Sequence, residues 1–210
     1  MIEVNPEDFV SIVVGVDPSL TSGEESDETG IIVAASGPHQ PSTCSIEHCN
    51  THAYILEDAT LPRHIRSTPE KWATKVIQAY DEWNAGRVVV ESNAGRELLK
   101  SVLLTIRPTL PVELPNATIG KTARAEPIVA LYEQGRVHHI GNPADFALLE
   151  DQMTTWVPNA SRKNSPDRMD ALVWAVSALD INAIGSGRRR WQDMGEITPV
   201  NFPQNNGWQV

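Results

Sequence analysis

Ser11-Ile-Val-Val-Gly-Val-Asp17-Pro-Ser19 is the stretch on which the reading of the fold turns. Five apolar or small residues, most of them β-branched, run straight into an aspartate, and Pro18 then ends the extended run. An unbroken apolar run of this kind reads as a strand buried on both faces, the central strand of an α/β sheet. Asp17 falls where that strand leaves the core, at the edge where open α/β sheets place their ligands. A carboxylate buried there is costly unless something pairs with it. Taken alone, Asp17 fits equally well as a cap of the turn through Pro18 and Ser19. The weight therefore falls on whether other carboxylates reach the same edge.

The composition sets bounds. A chain of 210 residues fits one domain with a substantial core. Its 40% hydrophobic and 21% charged residues are ordinary for a globular protein. No apolar run approaches the ~20 residues of a membrane span. The start, Met1-Ile-Glu-Val-Asn-Pro-Glu-Asp8, lacks the basic and apolar regions of a signal peptide. A soluble intracellular protein without a membrane partner is expected. Cys44 and Cys49 make no disulfide framework. A net charge of −10 disfavours tight nonspecific binding of nucleic acid by the body of the domain. It leaves room for a site where carboxylates hold divalent cations that in turn meet phosphate.

Along the chain, the polar stretch from Thr21 to Glu28 reads as a loop, and Thr29–Ala35 as a second strand antiparallel to the first. Gly37–Thr51, rich in Pro, Ser, Cys and His, is an insertion before a third strand, Ala53–Asp58. The period then changes. Thr68-Pro69-Glu70 is a helix start, with Thr as N-cap and Pro in the first position. Trp72, Val76, Ala79, Tyr80 and Trp83 mark its apolar face, and Gly86 is expected to end it. Arg87-Val-Val-Val-Glu91 is a fourth strand closed by a carboxylate. A helix from Arg96, a fifth strand within Val112–Ile119 and a helix over Lys121–Gln134 with Gly135 at its end follow. Arg136–Ile140 is a short extended piece, and helices are expected over Ala144–Trp156 and Ser165–Leu179. Residues 1–183 are expected to form the domain. Residues 184–210, with the Arg188-Arg-Arg190-Trp191 cluster, are expected to form a poorly packed or partner-dependent tail.

Three strands, a helix, a strand, a helix, a strand and then helices make the ribonuclease H-like arrangement. The expected architecture is a mixed five-stranded sheet, a three-strand antiparallel meander plus parallel strands, flanked by helices. Its acids fall in a pattern. Asp17 ends the first strand, Glu91 ends the fourth, and Asp167 and Asp170, three apart on one helix face, open the last helix. If the first and fourth strands are parallel neighbours, their acids share one edge. Carboxylates so gathered repel one another unless cations neutralise them. Hard oxygen ligands suit Mg²⁺ or Mn²⁺. Two such ions would serve phosphoryl transfer, one activating water and the other steadying the leaving oxygen.

The chain resembles the C-terminal nuclease domain of large terminase subunits, the DNA-packaging motors of tailed bacteriophages and related viruses. The likeness rests on Val14-Gly-Val-Asp-Pro-Ser19, Val88-Val-Val-Glu-Ser-Asn93 and Lys121-Thr-Ala-Arg-Ala-Glu-Pro127, leading to Leu131-Tyr-Glu-Gln-Gly-Arg-Val137. It continues through Leu149-Glu-Asp-Gln-Met153, Trp156-Val-Pro158 and Ser165-Pro-Asp-Arg-Met-Asp-Ala-Leu-Val-Trp-Ala175. The resemblance implies a metal-dependent endonuclease cutting concatemeric double-stranded DNA. It also implies a packaging ATPase domain, a small terminase subunit and a portal as partners, in the host cytoplasm and outside the mature virion. Catalysis and metal binding would fall to Asp17, Glu91, Asp170 and Asp167. Ile119-Gly-Lys-Thr122 lacks the upstream glycine of a phosphate loop, so no packaging ATPase is expected in this chain.

Further residues carry weaker expectations. Lys121 and Arg124, one turn apart near a helix start, are expected to contact DNA phosphate, with solvated side chains as the plain alternative. Asp58 also ends a strand and is a candidate outer metal ligand, or a turn cap. Cys44, His48, Cys49 and His52 have zinc-ligand character, although two cysteines and clustered histidines in a loop are more often incidental. Trp72, Trp83 and Trp174 are expected in the core, and His138-His139 has no acid–base partner that the sequence names. Three alternative functions remain at this stage. A Holliday-junction resolvase-like nuclease shares the fold but usually needs a basic junction-binding face and a dimer. An actin-like or sugar-kinase ATP-binding domain would need a Gly-Thr or Gly-Ser turn where Pro18-Ser-Leu20 stands. A noncatalytic scaffold gains nothing from clustered like charge.

Overall fold

The computed structural model describes residues 4–18, 28–40, 42–44, 46, 49, 51–62, 68–91, 96–115, 120–157, 166–179 and 181. The tail expected from residue 184, with its arginine cluster, lies outside them, as does His48. Strands β1 (Ser11–Asp17), β2 (Gly30–Pro38) and β3 (Thr51–Asp58) make the antiparallel meander. Strand β4 (Arg87–Val90) lies parallel to β1 on its other side, and β5 (Val112–Glu113) lies parallel to β4. The sixth strand, β6 (Val137–His139), is the extended piece left unpaired in the sequence reading, and it pairs parallel to β3. The sheet therefore has six strands in the order β5-β4-β1-β2-β3-β6, one more than expected. Strand β5 is confined to two residues, far shorter than the Val112–Ile119 run.

Strand β1 is buried on both faces, as its unbroken apolar run requires. Alternation along the pleat sends Val14 and Val16 into one cluster with Ile31, Val33, Tyr54, Trp72 and Leu103. Val13 goes the other way, with Ile32, Ile55, Phe146, Leu149 and Leu172. The first cluster is closed by α1 (Pro69–Glu82) and α2 (Arg96–Ile106). The second is closed by α3 (Lys121–Glu133), α4 (Pro143–Thr155) and α5 (Asp167–Ala178). Helix α1 starts as expected, with Thr68 Oγ1 accepting from Lys71 N at 3.3 Å. It stops at Glu82, before Gly86, because Asn84 takes the left-handed turn at φ 47°. Gly86 instead donates its N–H to Ile12 O at 2.8 Å and starts β4 in register with β1.

Helix α5 positions the site, and two glycines let it. A Cβ on Gly15 would stand 2.4 Å from Ala171 O, and one on Gly30 would stand 2.0 Å from Asp167 O. The helix backbone therefore lies directly on β1 and β2, with Ala171 and Ala175 as its contact face. Every residue from Asp167 to Val176 is buried, including both aspartates.

Candidate active site

Register brings the acids together. Val16 pairs with Val90, and Glu91 N donates to Val16 O at 3.0 Å, so Asp17 and Glu91 leave the sheet side by side at one edge. Gly30 pairs with Asp17, and Gly30 touches the backbone of Asp167, which brings the first turn of α5 to the same edge. Glu91, Asp167 and Asp170 are 6%, 3% and 3% exposed, so these are carboxylates in a low-dielectric place. Burial, followed by repulsion from Asp170 and Glu91, holds the Asp17 carboxyl well above the usual carboxylate range; Asp167 adds least. Burial also raises the Asp170 carboxyl, against the opposing pull of Lys121.

Two cations come from the start of α3. Lys121 Nζ is ion-paired with Asp170 Oδ2 and keeps 40% of its side chain exposed. Burial alone would lower the Lys121 ammonium, but Asp170, Asp17 and Glu91 outweigh it and hold it above its ordinary value. Arg124 is different. Its side chain is 5% exposed, its Nη1 lies 3.3 Å from Glu91 Oε1, and its guanidinium sits 4.5 Å over the Trp174 ring. Arg124, expected at a DNA phosphate, is turned here into the carboxylate cluster, beside Glu91 and Trp174. Trp174 is buried as expected, yet it also serves the site, since its indole N–H donates to Glu91 Oε2 at 2.9 Å.

Asp58 reaches the same sheet edge but is already committed. Its side chain is 1% exposed, pairs with Arg168 through Oδ2 and accepts from Thr60 N at 3.2 Å through Oδ1. Asp58, a candidate outer metal ligand or turn cap, thus caps the turn at Thr60 and anchors α5 through Arg168. Arg168 also reaches Glu28 Oε2 at 3.0 Å, and Gln152 Oε1 of α4 accepts from Arg168 N at 3.0 Å, capping α5. These contacts fix the helix that carries Asp167 and Asp170.

The family model described as the terminase RNaseH-like domain matches residues 14–179, the span that holds β1, β4, α3 and α5. The chain belongs to this family. Among solved structures, the large terminase nuclease from thermophilic phage G20c is similar at 11% identity with a TM-score of 0.52, covering 80% of this chain and 81% of that one. RuvC from Thermus thermophilus is similar at 15% identity with a TM-score of 0.42, covering 80% of this chain and 94% of that one. No curated protein sequence matches. The terminase nuclease fold thus accounts for the arrangement reached from the strand order. Sequence reasoning gives no role to Arg168 or Gln152 of this terminase domain, and it takes Trp174 only as a core residue. The signal for Arg168 is a cation set between two aspartates in Asp167-Arg-Met-Asp170, on a helix turn that is buried throughout; nothing local marks Gln152.

Proposed function

We propose that this domain is the endonuclease of a viral DNA-packaging terminase, hydrolysing phosphodiester bonds of concatemeric double-stranded DNA with Mg²⁺ or Mn²⁺. The observation that carries the reading is the gathering of Asp17, Glu91, Asp167 and Asp170, all within the family-matched span, at one sheet edge. The donor set fits a hard divalent cation. All ligating atoms are carboxylate oxygens, and the raised Asp17 carboxyl marks an excess of buried negative charge that a cation relieves. Asp17, Glu91 and Asp170 would hold the cation, with Asp167 serving a second. When bound, such ions lower the pKa of a water and neutralise charge on the leaving oxygen.

The chain's own groups do the rest. Arg124 and Trp174 orient the Glu91 carboxylate and keep water from it. Lys121, partly exposed beside Asp170, is the ammonium placed to meet a DNA phosphate. Arg168 holds α5 against β3 through Asp58. The packaging ATPase, the small terminase subunit and the portal are the partners this reading brings with it, in the host cytoplasm. The test is relaxation and linearisation of supercoiled plasmid with Mg²⁺, with Mn²⁺ and with excess chelator. Cleavage only with the cations is expected; undiminished cleavage in chelator overturns the reading. A four-way junction cut much faster than duplex would favour the resolvase-like alternative.

A further inference from the structure

At the opposite end of the sheet from Asp17, the described residues at the insertion between β2 and β3 bring four side chains together. His39, Cys44, Cys49 and His52 bring one ligand atom each to a place where all four lie within 4.8 Å of one another. Register places them well away from the acids. Asp17 pairs with Gly30 at the start of β2, whereas Pro38 and Gly37 at its end pair with Thr51 and His52.

Two of the nitrogens have no hydrogen-bond partner: His39 Nδ1 and His52 Nε2 are both buried and unpartnered. His52 is 0% exposed, so leaving an imidazole nitrogen unmet there is costly. Its other nitrogen, Nδ1, lies 2.7 Å from His138 Nε2, an arrangement that fixes the ring with Nε2 aimed into the cluster. A metal-bound histidine characteristically donates its second N–H to an acceptor in this way. Both thiols are free of a disulfide; Cys44 Sγ lies 3.8 Å from Ile46 O, Cys49 Sγ lies 3.6 Å from Thr51 O, and the two thiols also contact each other.

The loop is also held from below. Gly135, at φ 66°, gives Thr43 room that a Cβ would take, since it would stand 2.0 Å from Thr43 O. Thr43 Oγ1 donates to Gly135 O at 3.2 Å, and the buried Arg136 donates to Thr51 O at 3.0 Å.

We propose that His39, Cys44, Cys49 and His52 form a structural zinc site that ties the β2–β3 insertion to the β3–β6 end of the sheet. Two imidazoles and two thiolates are the borderline-soft, four-ligand set that Zn²⁺ takes tetrahedrally, whereas hard Mg²⁺ and Mn²⁺ prefer the carboxylate edge. Ligand atoms around a tetrahedral Zn²⁺ stand roughly 3.3–3.8 Å apart, given Zn–N and Zn–S bonds of about 2.0–2.3 Å. The cluster therefore needs only a small contraction. Each thiol loses its proton to solvent as the metal binds. Four protein ligands leave no open position for water, so the site is structural and takes no part in cleavage. His48, grouped with these residues on sequence grounds, lies outside the described residues, among which His39 brings the fourth ligand atom.

The test is metal content of the full chain, purified from medium containing zinc salt and passed through a weak chelator. One zinc per chain is expected in the wild type and in Asp17→Asn, and none in Cys44→Ser or Cys49→Ser. Zinc lost from Asp17→Asn and kept by both serine variants would place it at the carboxylates and overturn the proposal. Should the serine variants fail to fold, Co²⁺ titration of the zinc-free wild type decides. Intense tetrahedral ligand-field bands with thiolate-to-cobalt charge transfer are expected, and a weak octahedral spectrum would overturn the site. A zinc-free wild type carrying a Cys44–Cys49 disulfide would overturn it as well.

Discussion

Lys121 and Asp170, 49 residues apart in the chain, meet as an ion pair at the mouth of the carboxylate cluster. The lysine neutralises one carboxylate where a divalent cation would otherwise do so, and the two therefore compete for Asp170. Lys121→Met should leave the cluster more negative and strengthen Mn²⁺ binding several-fold in calorimetry, while slowing cleavage through loss of a phosphate contact. Unchanged Mn²⁺ affinity would separate Lys121 from the metal site.

Arg124 should matter for stability more than its neighbour. Removing it leaves Glu91 buried without its guanidinium partner, and breaking a buried pair in this way costs about 3–5 kcal/mol. Arg124→Met should therefore lower the melting temperature well below that of Lys121→Met, whose pair is partly exposed and worth little. Equal melting temperatures for the two variants would contradict the burial of the Arg124–Glu91 pair.

The raised Asp17 carboxyl has a consequence for pH. It keeps its proton in the folded chain to higher pH than in the unfolded one, where the ordinary value is 3.8. Stability contributed by the neutral form is therefore lost as pH rises from about 4 through the folded pKa, and stays lost above it. His52 and His138, both lowered to about 4 by burial first, give the opposite slope between that pH and their ordinary 6.5. The readout is thus the difference between proteins. Without divalent cations, Asp17→Asn should gain melting temperature over the wild type as pH goes from 4 to 7, and Mn²⁺ should erase the gain. A difference that stays flat with pH would remove the buried repulsion.

Gly30 tests how closely α5 must lie on the sheet. Gly30→Ala places a Cβ against the backbone of Asp167, which cannot yield as a side-chain tip can. Overpacking of this kind costs ~1–3 kcal/mol, and the shift carries both aspartates with it. Loss of Mn²⁺ affinity beyond the loss of stability is expected; a variant that binds and cuts like wild type would show that the helix has slack.

What the sequence disclosed was local or periodic. The double burial of β1 follows from an unbroken apolar run, the start of α1 from Thr68-Pro69, and Glu91 from its place after three valines. What it withheld depends on contacts between distant segments. Arg124 reads as a surface cation because its neighbours on α3 say nothing of Glu91, which comes from the end of β4, or of Trp174, which comes from α5. Strand β6 has three residues and no period, and pairing with β3 alone makes it a strand. His139 found its partners the same way, between Tyr132 at 2.8 Å and Glu150 at 2.8 Å. Asp58 looked like the other strand-end acids, and only Arg168, 110 residues away, distinguishes it.

The two aspartates of α5 should not be equal. Asp170 repels Asp17 more than any other charge does, and it takes Lys121 as its counter-charge, so it lies at the centre of the acidic group. Asp167 is equally buried but contributes least to that repulsion. It also opens the helix, where the macrodipole favours a carboxylate with or without a metal. Asp17→Ala, Glu91→Ala and Asp170→Ala should each abolish plasmid cleavage and Mn²⁺ binding while keeping the fold by circular dichroism. Asp167→Ala should retain activity at saturating metal and lose it at limiting metal, as a ligand of a second ion would. An Asp170→Ala protein that still cuts while Asp167→Ala is inactive would reverse the assignment. It would move the centre of the site one turn toward the N-terminus of α5, away from Lys121.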